Sequence, residues 1–409
     1  MGKILNKALL YAMILMLGDI TFGYVLVYPS PAIPSMQETM SSISELEYTI
    51  YRSGPALSAV FGPYITLLLL KYTGRKPTTF IVSVAGTIFW LMLIVTYEQI
   101  FWYGIIVRLF LGLVMGGFSQ IIPMYIVELA PPEATGFYGS LGQLAIASGI
   151  VILYLVGTYL DWQNTAIVGA CITGLLSFLI WLVPESPAVA EAHSSITPTE
   201  SIFQRRFAKP LIICVLLMFF QQFSGVNGIL TNLTTLFNNA GIEIESGIAS
   251  TISSLAQVIS VFCGGFVIEF LGRKFAWVVS LIGISVSLAL FCLSIKVTLP
   301  SWLPILIVFL FLLFFGLGAG PLPWFFVNEL IETSARAQAS SIVASSNWIC
   351  AFLVIAIFPS MQSALGDFWC FMIFMIISVV GAVFGLLFLQ QKVDKSQEQL
   401  INTQLMSNN

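Results

Sequence analysis

Residues 219–230 read FFQQFSGVNGIL and lie inside an uncharged stretch, Leu211 to Phe237, that is long enough to cross a bilayer. A helix needs about 20 mainly apolar residues to span the hydrocarbon core. Three amide side chains in this stretch, Gln221, Gln222 and Asn227, do not suit a helix that meets only lipid. An amide in hydrocarbon without a hydrogen-bond partner costs about 4 to 8 kcal/mol on the harshest transfer scale. The interior of a helix bundle must therefore hold these groups.

The whole chain has a composition typical of a protein embedded in a membrane. Of its 409 residues, 58% are hydrophobic and only 9% are charged, and the mean hydropathy is +0.96. These values are far from the balance of a soluble domain of this length. Apolar stretches of bilayer-spanning length recur from end to end, which predicts an all-α membrane protein with twelve transmembrane helices. We place them at residues 8–28, 50–70, 77–97, 101–127, 136–158, 164–183, 209–237, 247–269, 275–296, 302–329, 337–359 and 367–390.

The distribution of Lys and Arg predicts the orientation of the chain. An even number of spans places both termini on one side of the membrane. All basic residues except Arg52, Arg108 and Lys296 fall on that same side, so the positive-inside rule makes both termini cytoplasmic. The basic residues on the predicted cytoplasmic side are Lys3, Lys7, Lys71, Arg75, Lys76, Arg205, Arg206, Lys209, Arg273, Lys274, Arg336, Lys392 and Lys395.

Residues with catalytic or metal-binding chemistry are not clustered along the chain. The six cysteines fall in or at the edges of predicted spans, which indicates small apolar fillers rather than a disulfide framework or metal site. The single histidine, His193, lies in a polar connector. The sequence therefore predicts that the protein is not an enzyme and that it has no cofactor, no metal site and no nucleic-acid partner. It leaves the oligomeric state open.

The chain repeats itself with a period of about 200 residues, which indicates an internal duplication. TGRK at 73–76 is matched by LGRK at 271–274, and YIVEL at 125–129 by FVNEL at 326–330. Features at matching offsets predict two six-helix halves inserted in the same direction. We place the amino-terminal half at residues 1–183, a short cytoplasmic linker at 184–208, the carboxy-terminal half at 209–390 and a cytoplasmic tail at 391–409.

Eight short motifs occur along the chain in a definite order. They are GRK (74–76), Arg108 followed by PMYIVELAPPE (123–133), QLAIASGI (143–150), PESP (184–187), QQFSGVNG (221–228), GRK (272–274), GPLPWFFVNEL (320–330) and SNW (346–348). With these motifs in this order the sequence resembles the sugar porter branch of the major facilitator superfamily, the facilitated glucose and trehalose transporters, over nearly its whole length. Any one motif is weak, but eight in the family's order are specific.

The polar residues of the seventh span predict a substrate cavity. On a helical wheel that starts at Gln221, apolar residues such as Leu230 fall on the opposite face, which we expect to meet lipid. Gly225 and Gly228 allow this helix to bend or break. The polar face comprises Gln221, Ser224, Gly228, Thr231, Asn232 and Thr235, with Asn227 at its border.

Neutral amides provide a donor and an acceptor for sugar hydroxyl groups, and an indole face packs against sugar C–H groups. A simpler alternative is that these amides only join helices through hydrogen bonds worth about 0.6 to 2 kcal/mol each. Their recurrence in several spans favours the cavity. The resemblance implies sugar contacts at Gln143, Ile146, Gln221, Gln222, Asn227, Gln257, Trp324 and Asn347.

The first helix bears on the question of ion coupling. Proton-coupled members of the resembled family carry an acid directly after FGY, where this chain has Val25. The resemblance therefore implies passive transport. Asp19 lies six residues earlier, and an acid inside the membrane is a functional candidate by default. Pairing with Arg108 would instead give Asp19 a structural role, and we favour this second interpretation.

Charged residues at the cytoplasmic helix ends are candidates for a gate. In the resembled family such residues form ion pairs that lock the outward-facing state and break when the interior opens. The alternative is ordinary interfacial charge, where an exposed pair contributes about 0 to 1 kcal/mol. Because Thr135 stands where the family usually has arginine, we expect the carboxy-terminal half to carry most of the gate. The implied gating residues are Arg75, Glu128, Glu269, Arg273, Glu329 and Arg336.

Two functions remain open at this point. The first, which the retained cavity amides support and which we place ahead, is a uniporter for a neutral sugar, a hexose or trehalose, in the plasma membrane. The second is a non-transporting sugar sensor or degenerate paralogue, which the short linker and several departures from the family pattern favour. The positions that depart are Lys71, Thr135, Ala188, Thr231, Asn232 and Ala351.

Overall fold

The computed structural model describes residues 2–131, 134–187, 201–297 and 300–389, and these residues are folded as a bundle of helices. Twelve helical segments in this described part are long and apolar enough to cross a membrane, which confirms the predicted all-α fold and number of spans. The predicted division into two halves stays a prediction. Most of the predicted linker (188–200) and the whole predicted tail lie outside the described residues.

The described residues form sixteen α-helices; some spans consist of more than one helix, and the helices Pro29–Gln37 and Leu233–Asn239 lie outside the twelve spans. A π-helical segment, Phe315–Ala319, joins α13 to α14. The helices are α1 (Gly2–Val27), α2 (Pro29–Gln37), α3 (Glu45–Ala59), α4 (Gly62–Thr73), α5 (Arg75–Leu93), α6 (Phe101–Glu128), α7 (Thr135–Tyr159), α8 (Trp162–Leu179), α9 (Arg205–Gln222), α10 (Val226–Thr231), α11 (Leu233–Asn239), α12 (Ser246–Lys296), α13 (Leu303–Phe314), α14 (Leu322–Leu330), α15 (Thr333–Leu365) and α16 (Asp367–Phe388).

The second span begins five residues earlier than predicted, at Glu45, because a capping box starts the helix there. The Ser44 hydroxyl accepts from the Glu47 backbone N–H, and the Glu47 carboxylate accepts from the Ser44 N–H at 2.9 Å. These bonds satisfy backbone donors that the first helical turn leaves unpaired. The added residues are mostly polar, so the hydropathy pattern alone had placed them outside the span.

The seventh span is not the single helix predicted at 209–237. Helix α9 ends at Gln222, Gly225 has a left-handed φ of 91°, and a second break follows at Asn232. A φ in this region favours glycine, which has no Cβ to clash with the backbone. The wheel drawn through this span was therefore wrong: Leu230, expected to meet lipid, is 1% exposed and lies in the protein interior.

Both copies of the GRK motif begin with a glycine that turns the chain between two spans. Gly74 has φ 86° between α4 and α5, and Gly272 has φ 73° within α12, where the eighth and ninth spans meet. The following residues continue as a helix in both places. The repeat that the sequence shows therefore appears in the structure as the same turn at equivalent positions.

Helices α1 and α7 approach each other closely through glycines. A Cβ on Gly23 would lie 2.1 Å from the Ile146 carbonyl oxygen, and a Cβ on Gly149 would lie 2.1 Å from the Ile20 carbonyl oxygen. Small residues at such a crossing let backbones touch, which is the main source of helix association within a bilayer. This packing places Phe22 of α1 and Ile146 of α7 on one wall of the interior.

The hydrophobic core is divided among three clusters. One large cluster contains residues from both predicted halves, such as Tyr24, Leu230 and Phe374. Of the two smaller clusters, one includes Leu15 and Phe118 and lies within residues 1–183, and the other includes Met218 and Val343 and lies after residue 200. The bundle is therefore continuous at one end and divided at the other.

Candidate functional site

A cavity of about 1760 Å³ lies between the halves. It is larger than the roughly 300 to 1,000 Å³ of a typical small-molecule pocket. It extends from the amides of the seventh span to the end of the bundle that carries Lys71, Arg75, Arg273 and Arg336, which we call the basic face. The eight predicted substrate residues all contribute to its wall: Gln143, Ile146, Gln221, Gln222, Asn227, Gln257, Trp324 and Asn347.

A chain of hydrogen bonds joins three of the amides. Asn227 Nδ2 donates to Gln222 Oε1 at 2.6 Å, and Gln222 Nε2 donates to Asn347 Oδ1 at 2.7 Å. Asn227 reaches Gln222 because the chain turns at Gly225 between them. Within the described residues, Asn227 Oδ1 and Asn347 Nδ2 have no protein partner, so this chain keeps one acceptor and one amide donor group for a ligand.

Gln221 has a different role from its neighbour. Its Nε2 donates to the carbonyl oxygens of Ala319 at 2.7 Å and Gly320 at 2.6 Å. The residue four positions after Ala319 is Pro323, which has no N–H for the usual helical bond. Both donor hydrogens of Gln221 thus stabilise the irregular tenth span, and only its carbonyl oxygen is left for a ligand. For this amide, joining helices is a large part of its function.

The other predicted wall residues differ in how deeply they are buried and in whether their polar atoms form hydrogen bonds. Gln143 and Trp324 are half-buried, whereas Gln257 is buried and its Oε1 accepts no hydrogen bond in the described part of the chain. Unsatisfied polar atoms are uncommon in protein interiors and indicate a site where a ligand or water is bound. The unpaired polar atoms on this wall can form hydrogen bonds with a hydroxylated substrate.

Sequence reasoning missed several wall residues. Trp348 contributes its ring next to Phe22, with ring centroids 5.3 Å apart, and its buried Nε1 has no partner among the described residues. Gln120 of α6 also lines the cavity. Trp348 lies inside the SNW motif, and Gln120 is a lone amide in an apolar span, so both signals were present in the sequence.

The expected ion pair between Asp19 and Arg108 is not formed. Arg108 Nη1 donates to the Val25 carbonyl at 3.0 Å, and its guanidinium lies over the rings of Tyr28 and Tyr51 at 5.3 and 5.4 Å. Asp19 lines the central cavity, and neither of its carboxyl oxygens has a hydrogen-bond partner in the described structure. The pairing on which the favoured structural role rested was therefore wrong, because backbone and aromatic groups hold the arginine instead.

Charged groups of the amino-terminal half are better connected at the basic face than expected. Arg75 donates to both carboxyl oxygens of Glu128, at 2.9 and 3.1 Å. Glu185 accepts hydrogen bonds from the backbone N–H groups of Arg75 and Lys76 at the start of α5. Thr135 stands where the family usually has arginine, but Glu128 still has a cationic partner in Arg75.

The carboxy-terminal half has an equivalent ion pair. Arg273 pairs with Glu329, and the Arg336 guanidinium donates to the Ile331 carbonyl at 3.3 and 3.4 Å. Arg75, Glu128, Arg273 and Arg336 contribute to the cavity wall. Glu269 falls within α12, but its side chain lies outside the described part of the structure.

The opposite end of the bundle is closed by contacts between the halves. Ser30 Oγ donates to Thr234 Oγ1 at 3.1 Å, and the Tyr154 hydroxyl donates to the Leu230 carbonyl. The structure is therefore open toward the basic face. Both ion pairs, Arg75–Glu128 and Arg273–Glu329, remain formed beside the open cavity, so opening at this face does not require either of them to break.

The bond from Arg336 to the Ile331 carbonyl is present in this open structure, so its loss alone does not favour opening. The resemblance implies that Arg336 forms an ion pair when this face closes, and on that basis we expect Arg336→Ala to favour opening at the basic face about fivefold, from the loss of about 1 kcal/mol of closed-state restraint. The measurement is the labelling rate of a cysteine at Ser340, on the cavity wall, by an impermeant thiol reagent added at the basic face. Thr135→Ala, at the equivalent position of the other half, should have a smaller effect; equal rates would contradict an asymmetric gate.

Comparisons with known proteins agree with this architecture. The family model described as Sugar (and other) transporter matches residues 11–205 and again residues 188–402. A facilitated trehalose transporter Tret1 of Bombyx mori is 30% identical, covering 96% of this chain and 86% of its own. The protein of the same name from Apis mellifera ligustica is 27% identical, covering 96% of this chain and 87% of its own.

Solved structures share the fold at lower identity. A crystal structure of a D-xylose-proton symporter superposes with a TM-score of 0.80 at 20% identity, covering 93% of this chain and 97% of that one. The partially occluded inward open conformation of the xylose transporter XylE from E. coli gives 0.82 at 19% identity, covering 95% and 99%. Because the family model matches the chain in two copies that together span nearly all of it, this protein belongs to the Sugar (and other) transporter family and is a membrane transporter, not an enzyme.

Proposed function

We propose that this protein carries out facilitated uniport of a neutral sugar, a hexose or trehalose, by alternating access. The observation that carries the proposal is the chain Asn227–Gln222–Asn347, whose uncharged amides line the cavity and keep both an acceptor and donors for hydroxyl groups. The relatives named as facilitated trehalose transporters support the same substrate class. A sugar presents donors and acceptors without net charge, which suits amides better than charged side chains.

We further propose that all eight wall residues take part in sugar binding and that the basic face is cytoplasmic. The positive-inside rule supports this orientation, with both termini cytoplasmic, and we propose the plasma membrane as the location. Ion pairs in both halves support a cycling transporter over a sensor, because the charged network expected to be depleted at Thr135 is present around Arg75. The proposed division remains two halves, 1–183 and 209–390, joined by 184–208.

The proposed affinity is weak, as a transporter that must release its cargo requires. Five or six hydrogen bonds at a net ~1 kcal/mol each, less the cost of ordering the ligand, give about 4 kcal/mol, which corresponds to a Kd near the millimolar range.

Passive transport follows from the position of Val25. Its side chain cannot accept a proton, and its carbonyl oxygen already binds Arg108 at 3.0 Å. In proteoliposomes, radiolabelled glucose or trehalose should therefore equilibrate without exceeding the outside concentration, and a protonophore should change the rate little. Accumulation that collapses with the proton gradient would contradict uniport. Absence of uptake, with sugar binding preserved, would favour the sensor.

A further inference from the structure

Asp19 lies near the middle of the first span and is completely buried, yet it contributes to the wall of the central cavity. Both of its carboxyl oxygens are without a hydrogen-bond partner in the described structure. Burying an isolated carboxyl group is far more costly than burying an amide, and natural proteins seldom leave one unpaired. The proposed uniport mechanism does not use this group, so its presence needs another explanation.

No basic residue of the described chain neutralises Asp19. Arg108 is held by Val25, Tyr28 and Tyr51. The basic residues that do line the cavity lie at the basic face, where Arg75 and Arg273 form ion pairs with glutamates. A structural ion pair therefore does not account for the acid.

The surrounding backbone leaves room for this carboxyl group. A Cβ added to Gly142 of α7 would lie 2.9 Å from Asp19 Oδ2 and 3.6 Å from Pro123 Cγ. Any larger residue at position 142 would thus displace the acid from the gap between α1, α6 and α7. The glycine keeps Asp19 beside the cavity.

Two unused amides flank this position. Gln143 follows Gly142, and Gln120 lies one helical turn before Pro123 on the same face of α6. Both line the cavity, both are half-buried, and neither side chain has a protein hydrogen bond among the described residues. Three cavity amides of the other half, by contrast, donate to protein acceptors. The wall formed by α1, α6 and α7 therefore carries unsatisfied hydrogen-bonding capacity of its own, in addition to that of Gln257 and Trp348.

We propose that Asp19, together with Gln120, is a second sugar-contacting site that determines which hydroxyl pattern the transporter accepts. This inference rests on the proposed function. The two oxygens of one carboxyl group accept hydrogen bonds from two neighbouring hydroxyls of a sugar ring, and hydroxyl bonds to a carboxylate are short and strong. Asp19 already forms part of the cavity wall, and because no protein hydrogen bond holds Gln120 or Gln143 among the described residues, both side chains are free to adjust to a bound sugar.

An aromatic contact links the helix of Asp19 to the helix that carries Asn347. Phe22 lies one turn after Asp19 on α1, and its ring meets Trp348, which follows Asn347 in the chain. Asp19, Phe22, Trp348 and the three amides all line the same cavity, so a sugar that packs against the aromatic pair has residues of both groups in the surrounding wall.

The test is to measure sugar affinity in Asp19→Asn, Gly142→Ala and the wild-type protein, with melting temperature recorded for each. We expect Asp19→Asn to weaken binding of the transported sugar about tenfold, the loss of one strong hydrogen bond. A series of monodeoxy sugars locates the contact, because the analogue lacking the bound hydroxyl should bind both proteins equally. Gly142→Ala should reproduce the loss without altering the acid itself.

Gly139→Ala is the matched control one turn earlier on α7. A Cβ there meets only Val127 Cγ2, at 3.9 Å, so affinity should be unchanged. Two results would overturn this inference without contradicting the proposed sugar transport. The first is that Asp19→Asn binds every sugar of the analogue series with unchanged affinity. The second is that it binds all of them more weakly by the same factor while its melting temperature is lowered. If the wild-type protein neither binds nor transports any sugar, the proposed function fails first and this site fails with it.

Discussion

Replacing Gln222 with leucine is expected to weaken sugar binding about tenfold to a hundredfold. Gln222 is the middle member of the amide chain, and its loss leaves Asn227 Nδ2 and Asn347 Oδ1 without their partners. Leaving buried polar groups unpaired costs about 1 to 3 kcal/mol, and every 1.4 kcal/mol is tenfold in affinity. The free atoms of Asn227 and Asn347 are then no longer held toward the sugar.

Gln221→Leu should behave differently, although the two residues are adjacent. Both donor hydrogens of Gln221 bind carbonyls of the tenth span, so this change should lower the melting temperature more than the affinity. Isothermal titration and thermal unfolding in the same detergent measure both quantities. Equal affinity losses for the two variants, or lost stability with unchanged affinity for both, would contradict this division of roles.

The control for these variants must face lipid. Leu230 does not, since it is buried and lines the cavity. Ile212, on α9 in the same span, is 57% exposed and is the appropriate choice. Ile212→Ala removes apolar surface from the outside of the bundle and should leave sugar affinity unchanged.

Replacing Gly149 with alanine is expected to cause a large loss of stability. The added Cβ would lie 2.1 Å from the Ile20 carbonyl oxygen and 2.9 Å from the Ile20 carbonyl carbon, and both are backbone atoms that cannot rotate away. Helices α1 and α7 must then move apart. Overpacking of this kind costs about 1 to 3 kcal/mol, and more where the backbone has to shift. We expect a strongly lowered melting temperature or no folded protein.

Gly174→Ala is the matched control for this prediction. Its Cβ would meet only the Thr87 side chain, at 3.7 Å, which is an ordinary contact distance. Size-exclusion profiles and melting curves of the two variants compare the two glycines directly. A Gly149→Ala protein as stable as Gly174→Ala would show that the α1–α7 crossing tolerates separation.

The sequence by itself determined the number of spans, the repeat and most of the cavity amides. The spans and the amides are local features. A segment of about 20 apolar residues must span the bilayer as a helix because its backbone groups have no other partners in hydrocarbon. An amide such as Gln222 within a span must likewise face an interior, whichever helices surround it.

Only the tertiary structure decided which group each polar side chain contacts. The left-handed Gly225 broke the seventh span and turned Leu230 inward, so a wheel through an unbroken helix assigned the wrong face. Asp19 and Arg108 were plausible partners in sequence, but backbone and aromatic groups from other helices hold the arginine, and the acid meets the cavity. Such choices depend on contacts between residues far apart in the chain, and a one-dimensional pattern contains no information on which of several possible partners lies within hydrogen-bonding distance.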